Sequence, residues 1–283
     1  MLCGLDWNHS IGNPVILWPL CGGSLKGYIN SSYYSDSSDK CFKYVKGGWQ
    51  NFVTMMDRRH SAAGIVYNNA FHIFGGYDNY PNSYESTRLQ SSEIINEDGS
   101  IVEGPQLPVA INNHAIASIN STVSIITTGS TNANSYSDGK TWYFDHAIQE
   151  FQPGPNLLEG RRSHSSGTVT DQVTKEKTAI IAGGLKNSND YLDSTEMLLN
   201  GEWKAGKTQN QIFVHFCIPL GSLKAIINFS SFLTLGPSLP KALIWSSMVE
   251  LGDNLYIIGG RSNDGSSDQR EIHQLSCFSG LCS

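Results

Sequence analysis

Three histidines, His60, His114 and His164, carry the most chemical potential in this 283-residue chain. An imidazole can bind a metal, relay a proton or act as a general base near neutral pH. Paired arginines, Arg58-Arg59 and Arg161-Arg162, stand just before two of them. Such pairs bind anions, brace turns or pair with glutamates, here Glu93 and Glu196. Ser163-His164 sets a hydroxyl beside an imidazole, but neighbours along a strand point to opposite faces, a poor geometry for a nucleophile and its base. No Gly-x-Ser-x-Gly, His-Glu-x-x-His or phosphate loop occurs. The six cysteines, Cys3, Cys21, Cys41, Cys217, Cys277 and Cys282, contain no Cys-x-x-Cys pair, so zinc spacing is absent. Cys21 with Cys41, and Cys277 with Cys282, are spaced to close local loops. The histidines are expected to be structural, and no catalytic residue, metal or cofactor is assigned.

The elements that position these residues follow from composition and repetition. Glycine supplies 28 residues, hydrophobic types 39% and charged types only 16%, below the ~25% of ordinary domains. That mix suits many short strands and turns and argues against a helical bundle. With a net charge of −6 and no basic patch, nucleic acid is not an expected partner. The apolar stretch within 208–235 is interrupted by His215, Pro219 and Lys224, so no membrane span is expected. Sequons at Asn8, Asn30, Asn120 and Asn228, with an even cysteine count, favour an extracellular over a cytoplasmic setting.

An apolar run ending in a small-residue doublet occurs five times: at Gly22-Gly23, Gly75-Gly76, Gly129-Ser130, Gly183-Gly184 and Gly259-Gly260. Their second positions are separated by 53, 54, 54 and 76 residues. His60 and His114 both lie 16 residues before the second position, and His164 lies 20 before, which predicts equivalent places in three copies. Each doublet is followed by a variable loop and a polar strand (Ser92-Glu93, Ser194-Thr195-Glu196, Arg270-Glu271). An aromatic (Trp49, Trp142 with Phe151, Trp203) comes next, then a Gly-Pro turn. About four strands in roughly 50 residues make one blade of a β-propeller. The tryptophans are expected to fill the widening gap between blades, and the glycines to let the chain turn off a crowded inner strand.

These features together resemble the kelch repeat family. The resemblance rests on the Gly-Gly doublets, the Arg–His entry strand, the Ser/Thr-Glu strand, the Trp and the Gly-Pro-x-Leu-Pro turns at Gly104–Pro108 and Gly236–Pro240. It covers residues 14–275, between an N-terminal extension at 1–13 and a tail at 276–283. It implies an all-β, kelch-type propeller of about five recognisable blades with binding loops on one face. Cytosolic members often carry a dimerising domain and recruit substrates to a cullin-type ubiquitin ligase; no such domain precedes residue 14. Both ends stop mid-pattern, so the reading expects an incomplete propeller, a fragment or a faulty gene record. Residues 207–235 read as an aberrant insert, because joining Gly206 to Gly236 restores the repeat.

The loops after the doublets are the expected binding surface. Tyr28, Tyr33 and Tyr34 lie in the first, Tyr77, Tyr80 and Tyr84 in the second, and Arg261 and Asp264 in the last. Rigid amphipathic rings among Ser, Asn and Asp form a recognition-like composition. The expected function is a non-catalytic scaffold or substrate receptor for a protein partner. The alternative is a propeller enzyme or carbohydrate binder, similar to kelch-like copper oxidases or to sialidases. Ser135–Trp142 resembles the sialidase Asp-box turn, although Ser137 stands where Asp is expected.

Overall fold

The computed structural model describes residues 19–29, 32–45, 48–79, 87–131, 138–170, 176–206, 238–239, 241–251, 254–262 and 272–275. All regular structure among them is β-strand, so the chain is all-β. Residues 1–13, 207–235 and 276–283, and with them Tyr80, Tyr84, Asp264, Cys277 and Cys282, lie outside the described residues.

The strands form five consecutive units of antiparallel sheet. The first holds β1 (Leu20–Cys21), β2 (Ser24–Ile29), β3 (Ser32–Ser37), β4 (Lys40–Val45) and β5 (Gly48–Thr54), with β1-β4-β5 as its sheet and β2-β3 as a hairpin. The second holds β6 (Ala63–Tyr67), β7 (Ala70–Phe74), β8 (Tyr77–Asp78), β9 (Thr87–Arg88), β10 (Ser92–Asn96) and β11 (Ile101–Glu103), in sheet order β6-β7-β10-β11. The third holds β12 (Ile111–Asn112), β13 (Ala115–Ser118), β14 (Val123–Thr127), β15 (Ser130–Thr131), β16 (Thr141–Asp145) and β17 (Glu150–Pro153), in sheet order β13-β14-β16-β17. The fourth is β18 (Ser165–Thr170), β19 (Lys177–Ala182), β20 (Thr195–Leu199) and β21 (Glu202–Ala205), paired in that order. The fifth holds β22 (Leu243–Ile244), β23 (Ser247–Leu251), β24 (Asn254–Ile258), β25 (Arg261–Ser262) and β26 (Ile272–Leu275), with sheet β23-β24-β26.

Apolar runs such as Phe71–Phe74 and Ala179–Ala182 are continuous because their strands are covered on both faces. Each sheet packs on the next through a separate apolar cluster. Cys21 and Cys41 meet Phe71 and Ile73; Phe74 and Ile111 meet Ile126 and Phe144; Ile125 and Leu157 meet Ile181 and Trp203; Ile180 and Met197 meet Met248 and Ile257. The strands β6, β13, β18 and β23 lie side by side. Ser166 Oγ donates to the Ile116 carbonyl at 2.7 Å and Thr168 Oγ1 to that of Ser118 at 2.9 Å, tying two of these strands together.

Before each of these strands the backbone makes the same bend. Ser61, Asn113, Ser163 and Trp245 all hold φ between 52° and 57°. The Asn113 N–H donates to the Ser61 carbonyl (2.9 Å), Ser163 to Asn113 (2.8 Å) and Trp245 to Ser163 (2.9 Å). This relay fixes the correspondence between units. Arg59, Ile111, Arg161 and Leu243 are equivalent, as are Ala62, His114, His164 and Ser246.

That correspondence corrects four expectations. His60 is equivalent to Asn112, Arg162 and Ile244, not to His114 and His164. It bridges Tyr77, as Asn112 pairs with Ser130 and Ile244 with Arg261. The third doublet is Thr128-Gly129 rather than Gly129-Ser130. The Thr128 N–H donates to the Lys140 carbonyl, as Gly75 does to Ser91 and Gly183 to Ser194. Trp142 sits on the third strand of its sheet, opposite Ile126, and Phe151 holds the outer-strand place that Trp203 holds in the fourth unit. Trp203 does fill an inter-sheet gap, buried with its Nε1 donating to the Pro155 carbonyl at 3.0 Å. Trp49 does not: it is 52% exposed on β5, its ring 5.4 Å from that of Tyr44.

The doublets need glycine for a specific reason. Gly75 has φ 57°, and a Cβ there would lie 2.7 Å from the Ile111 carbonyl oxygen, in the chain entering the next unit. Gly183 meets the Leu243 carbonyl in the same way. A side chain at either place would separate two neighbouring units.

Cys21 and Cys41 face each other across β1 and β4 and are joined by a disulfide with a sequence separation of 20. Closing a loop of this size contributes about 3 kcal/mol in the chain-entropy account. Changing both cysteines to alanine should lower the urea midpoint by an amount equivalent to about 2–4 kcal/mol. An unchanged midpoint would show that the bond contributes nothing.

Candidate functional site

The four bends and the residues after them surround a cavity of about 110 Å³. Each of four units contributes the same four positions: residues 61–64, 113–116, 163–166 and 245–248. Ser61, Asn113, Ser163 and Trp245 precede strands whose opposite ends lead away from the doublets. The cavity therefore opens on the side where the chain leaves each doublet, the side of the β8-β9, β12-β15 and β22-β25 ribbons. No Asp, Glu, Lys or Arg lines it; serine, alanine, histidine, asparagine, tryptophan and methionine do.

His114 and His164 come together here, each 6% exposed. Burial is the main force holding the His114 pKa down, to about 3; the Phe74 carbonyl opposes the shift and the nearby Arg59 guanidinium adds to it. Burial likewise lowers His164 to about 3, with contributions from Arg161 and His114. Both imidazoles are therefore neutral across the physiological range. His164 Nε2 is hydrogen-bonded to Thr127 Oγ1 at 2.6 Å. The expected opposition of Ser163 and His164 does not hold, because Ser163 is in the left-handed bend rather than in a strand, and both residues line the cavity.

Trp245 stands at the cavity in the left-handed bend and is 48% exposed. A β-branched or bulky residue with φ near +57° is uncommon, and such strain gathers at functional positions. Arg261, exposed, lies on β25 opposite Ile244, the residue just before Trp245. The signal for Trp245 was present in the sequence, two residues after Leu243. Reading it required the correspondence of Leu243 with Arg59 and Arg161, which His60 misdirected.

The remaining predicted residues lie outside the cavity lining. His60 Nδ1 is 2.9 Å from Ser37 Oγ, and its ring meets Tyr77 edge-on at 5.4 Å. The Arg88 guanidinium lies 5.6 Å from the Tyr77 ring centre, and its Nε donates to Asn112 Oδ1. Arg58 bridges Asp36 at 2.7 Å and Asp78 at 3.5 Å, fastening the β2-β3 hairpin to the second unit. Tyr28 pairs with Tyr33 across that hairpin and Tyr34 with Gly27, so the segment expected as a loop is regular ladder. The Arg–Glu expectation resolves to one arginine of each pair: Arg59 with Glu93 at 2.6 Å and Arg161 with Glu196 at 2.7 Å, all four buried.

A second buried histidine pair, absent from the sequence reading, lies between the second and third sheets. The His72 and His146 rings are 5.1 Å apart, Tyr67 stacks on His146 at 4.5 Å, and Ser124 Oγ is 2.8 Å from His146 Nε2. Among the described residues no cluster of three or more His, Cys, Asp or Glu side chains could hold a metal ion. No helix among them is long and apolar enough to cross a membrane.

No protein-family model matches this chain. No curated protein matches it either. Among solved structures, the one described as "Structure of YjhT" is similar with a TM-score of 0.55 and 12% sequence identity, over 93% of this chain and 96% of that one. That neighbour has a β-propeller-like fold, and at this identity the likeness is one of fold alone.

Proposed function

We propose that the five sheet units are blades of a kelch-type β-propeller and that the protein binds another protein, without catalysis, on the face that carries the cavity. The observation that carries this reading is Trp245, half exposed in a strained bend beside an uncharged cavity. Tryptophans of this kind anchor interfaces: the indole supplies large rigid area, and its fixed backbone reduces the entropy lost on binding. Tyr77 and Arg261 extend the surface outward, and the hairpin with Tyr28, Tyr33 and Tyr34 flanks it. Acid–base catalysis near neutral pH is poorly served by imidazoles held at a pKa of about 3, because so weak a base has little driving force to accept a proton.

Affinity capture from the native source, with bound proteins identified by mass spectrometry, tests the reading. Trp245→Ala should weaken capture of a specific partner by about thirtyfold, the range of an interface hot spot. Thermal unfolding should change little, since the side chain is half exposed. A partner held equally well by the variant would remove this face from consideration.

A further inference from the structure

Two positions behave alike along the chain until its first and last sheets. The residue two before the first member of each doublet faces the preceding unit. It is Ile73, Ile126, Ile181 and Ile257 in the second to fifth units, each fully buried. In the first unit the same position is Leu20, 38% exposed. The residue one before the doublet faces the following unit. It is Cys21, Phe74, Thr127 and Ala182 in the first four units, all buried. In the fifth it is Ile258, again 38% exposed.

The rest of each face follows the same rule. Phe42 lies opposite Leu20, Tyr44 is two residues further along β4, and Trp49 lies opposite Tyr44. Strand alternation puts all four on one face, and all four are exposed. Trp49 pairs with Tyr44 in the register in which Trp203 pairs with Leu198. It is therefore the counterpart of Trp203, which is buried against the third unit. At the other end Tyr256, two before Ile258, is half-buried. Its counterpart Ile180 is fully buried against the fifth unit. Contiguous apolar surface of this size marks an interaction site.

We propose that these two faces cover each other between chains: the fifth unit of one copy seats on the first unit of a second copy. The contact repeats the junction that joins consecutive units within the chain. Four such junctions occur here, and each sets a following face on a preceding face. The two faces left open are one of each kind, so each is the complement of the other. Both are exposed in the single chain, so they do not meet within it. The Cys21–Cys41 disulfide ties β1 to β4 and holds Leu20 and Phe42 on a fixed frame. The association is head-to-tail, and it continues to further copies unless a ring closes. It does not involve Trp245 and stands apart from the partner-binding reading.

Sedimentation of the whole chain from about 1 to about 100 µM tests this, a range that spans ordinary interface affinities. The average mass should rise above that of one chain as concentration increases. Trp49→Asp and Ile258→Asp each place a carboxylate in the apolar contact and should weaken association at least about thirtyfold. Both side chains are exposed, so folding should be kept; Tyr44→Asp replaces the first variant if it does not fold. An equal mixture of the two variants should give a species of two chains and no more. In that pair the intact fifth unit of Trp49→Asp meets the intact first unit of Ile258→Asp. A single-chain mass at every concentration would overturn the proposal and leave these faces to a different protein. Full association of either variant alone, or no two-chain species in the mixture, would overturn it equally.

Discussion

Replacing Arg161 by methionine should destabilise the protein by about 3–5 kcal/mol, among the largest effects expected of any single substitution here. The guanidinium is 1% exposed. It donates to Glu196 Oε1 at 2.7 Å, to the Gly183 and Ser194 carbonyls at 2.9 and 3.0 Å, and to Ser194 Oγ at 3.0 Å. Glu196 in turn accepts the N–H groups of Leu158 and Glu159. One ion pair therefore satisfies the backbone of the entry turn, the doublet and the polar strand together. Removing its cation leaves a carboxylate that is almost fully buried with only two backbone donors. The equivalent network in the second unit runs from Arg59 to Gly75, Ser91 and Glu93, with Met56 and Asp57 as the backbone donors.

An isolated buried ion pair can often be exchanged for apolar residues at little loss. Here the double change Arg161→Met with Glu196→Leu should be no less damaging than the single one, because it orphans the N–H groups of Leu158 and Glu159 as well. The chain carries its own control. In the third unit Ile111 occupies the arginine place and Trp142 the glutamate place, and the residue equivalent to Leu158 is Pro108, which has no N–H to satisfy. In the fifth unit Leu243 likewise follows Pro240 by three. Adding Leu158→Pro to the double variant should therefore recover part of the lost stability. Urea midpoints of the single, double and triple variants check this ordering; a double variant near wild-type stability would show that the pair acts alone.

The strand-rich architecture was legible because apolar runs ending in small doublets recur at near-constant spacing, and the glycines at those ends do make the close approaches that favour them. The Arg–Glu pairs were legible too, since residue types and the order of elements put them on adjacent strands. The misplacing of His60 has a definite origin. Matching His60 to His114 by distance from the doublet ignored that the bend residue, Ser61 or Asn113, has no fixed side-chain type. What repeats there is a backbone conformation and a carbonyl-to-amide relay, and Ser, Asn, Ser and Trp all adopt it. Side-chain identity cannot report a feature carried by the backbone, so the cavity and Trp245 stayed hidden. His72 and His146 were hidden for another reason: they meet across two sheets, and no local pattern records which side chains of neighbouring units touch.

Those same buried histidines make mild acid the second large perturbation. His72 and His146 are lowered to about 4, chiefly by burial, with His72 adding to the shift at His146 and Asp145 opposing it. His114 and His164 are lowered to about 3. Each folded-state pKa lies below the 6.5 of an unfolded histidine, so the unfolded chain binds more protons. The stabilisation is complete above pH 6.5 and is lost as the pH falls from there toward 4 for His72 and His146 and toward 3 for the cavity pair. At about pH 5.5 each fully buried imidazole gives up about 1.4 kcal/mol, so His114 and His164 together account for about 3 kcal/mol. His72 and His146, also buried and lowered to about 4, give up a comparable amount at that pH. Against a typical total of about 5–15 kcal/mol, that is a large fraction. Urea midpoints should fall steeply between neutral pH and pH 5, and His114→Phe should flatten the fall while leaving its starting pH unchanged. A midpoint constant over that interval would mean that these imidazoles gain partners for their protons as the pH drops.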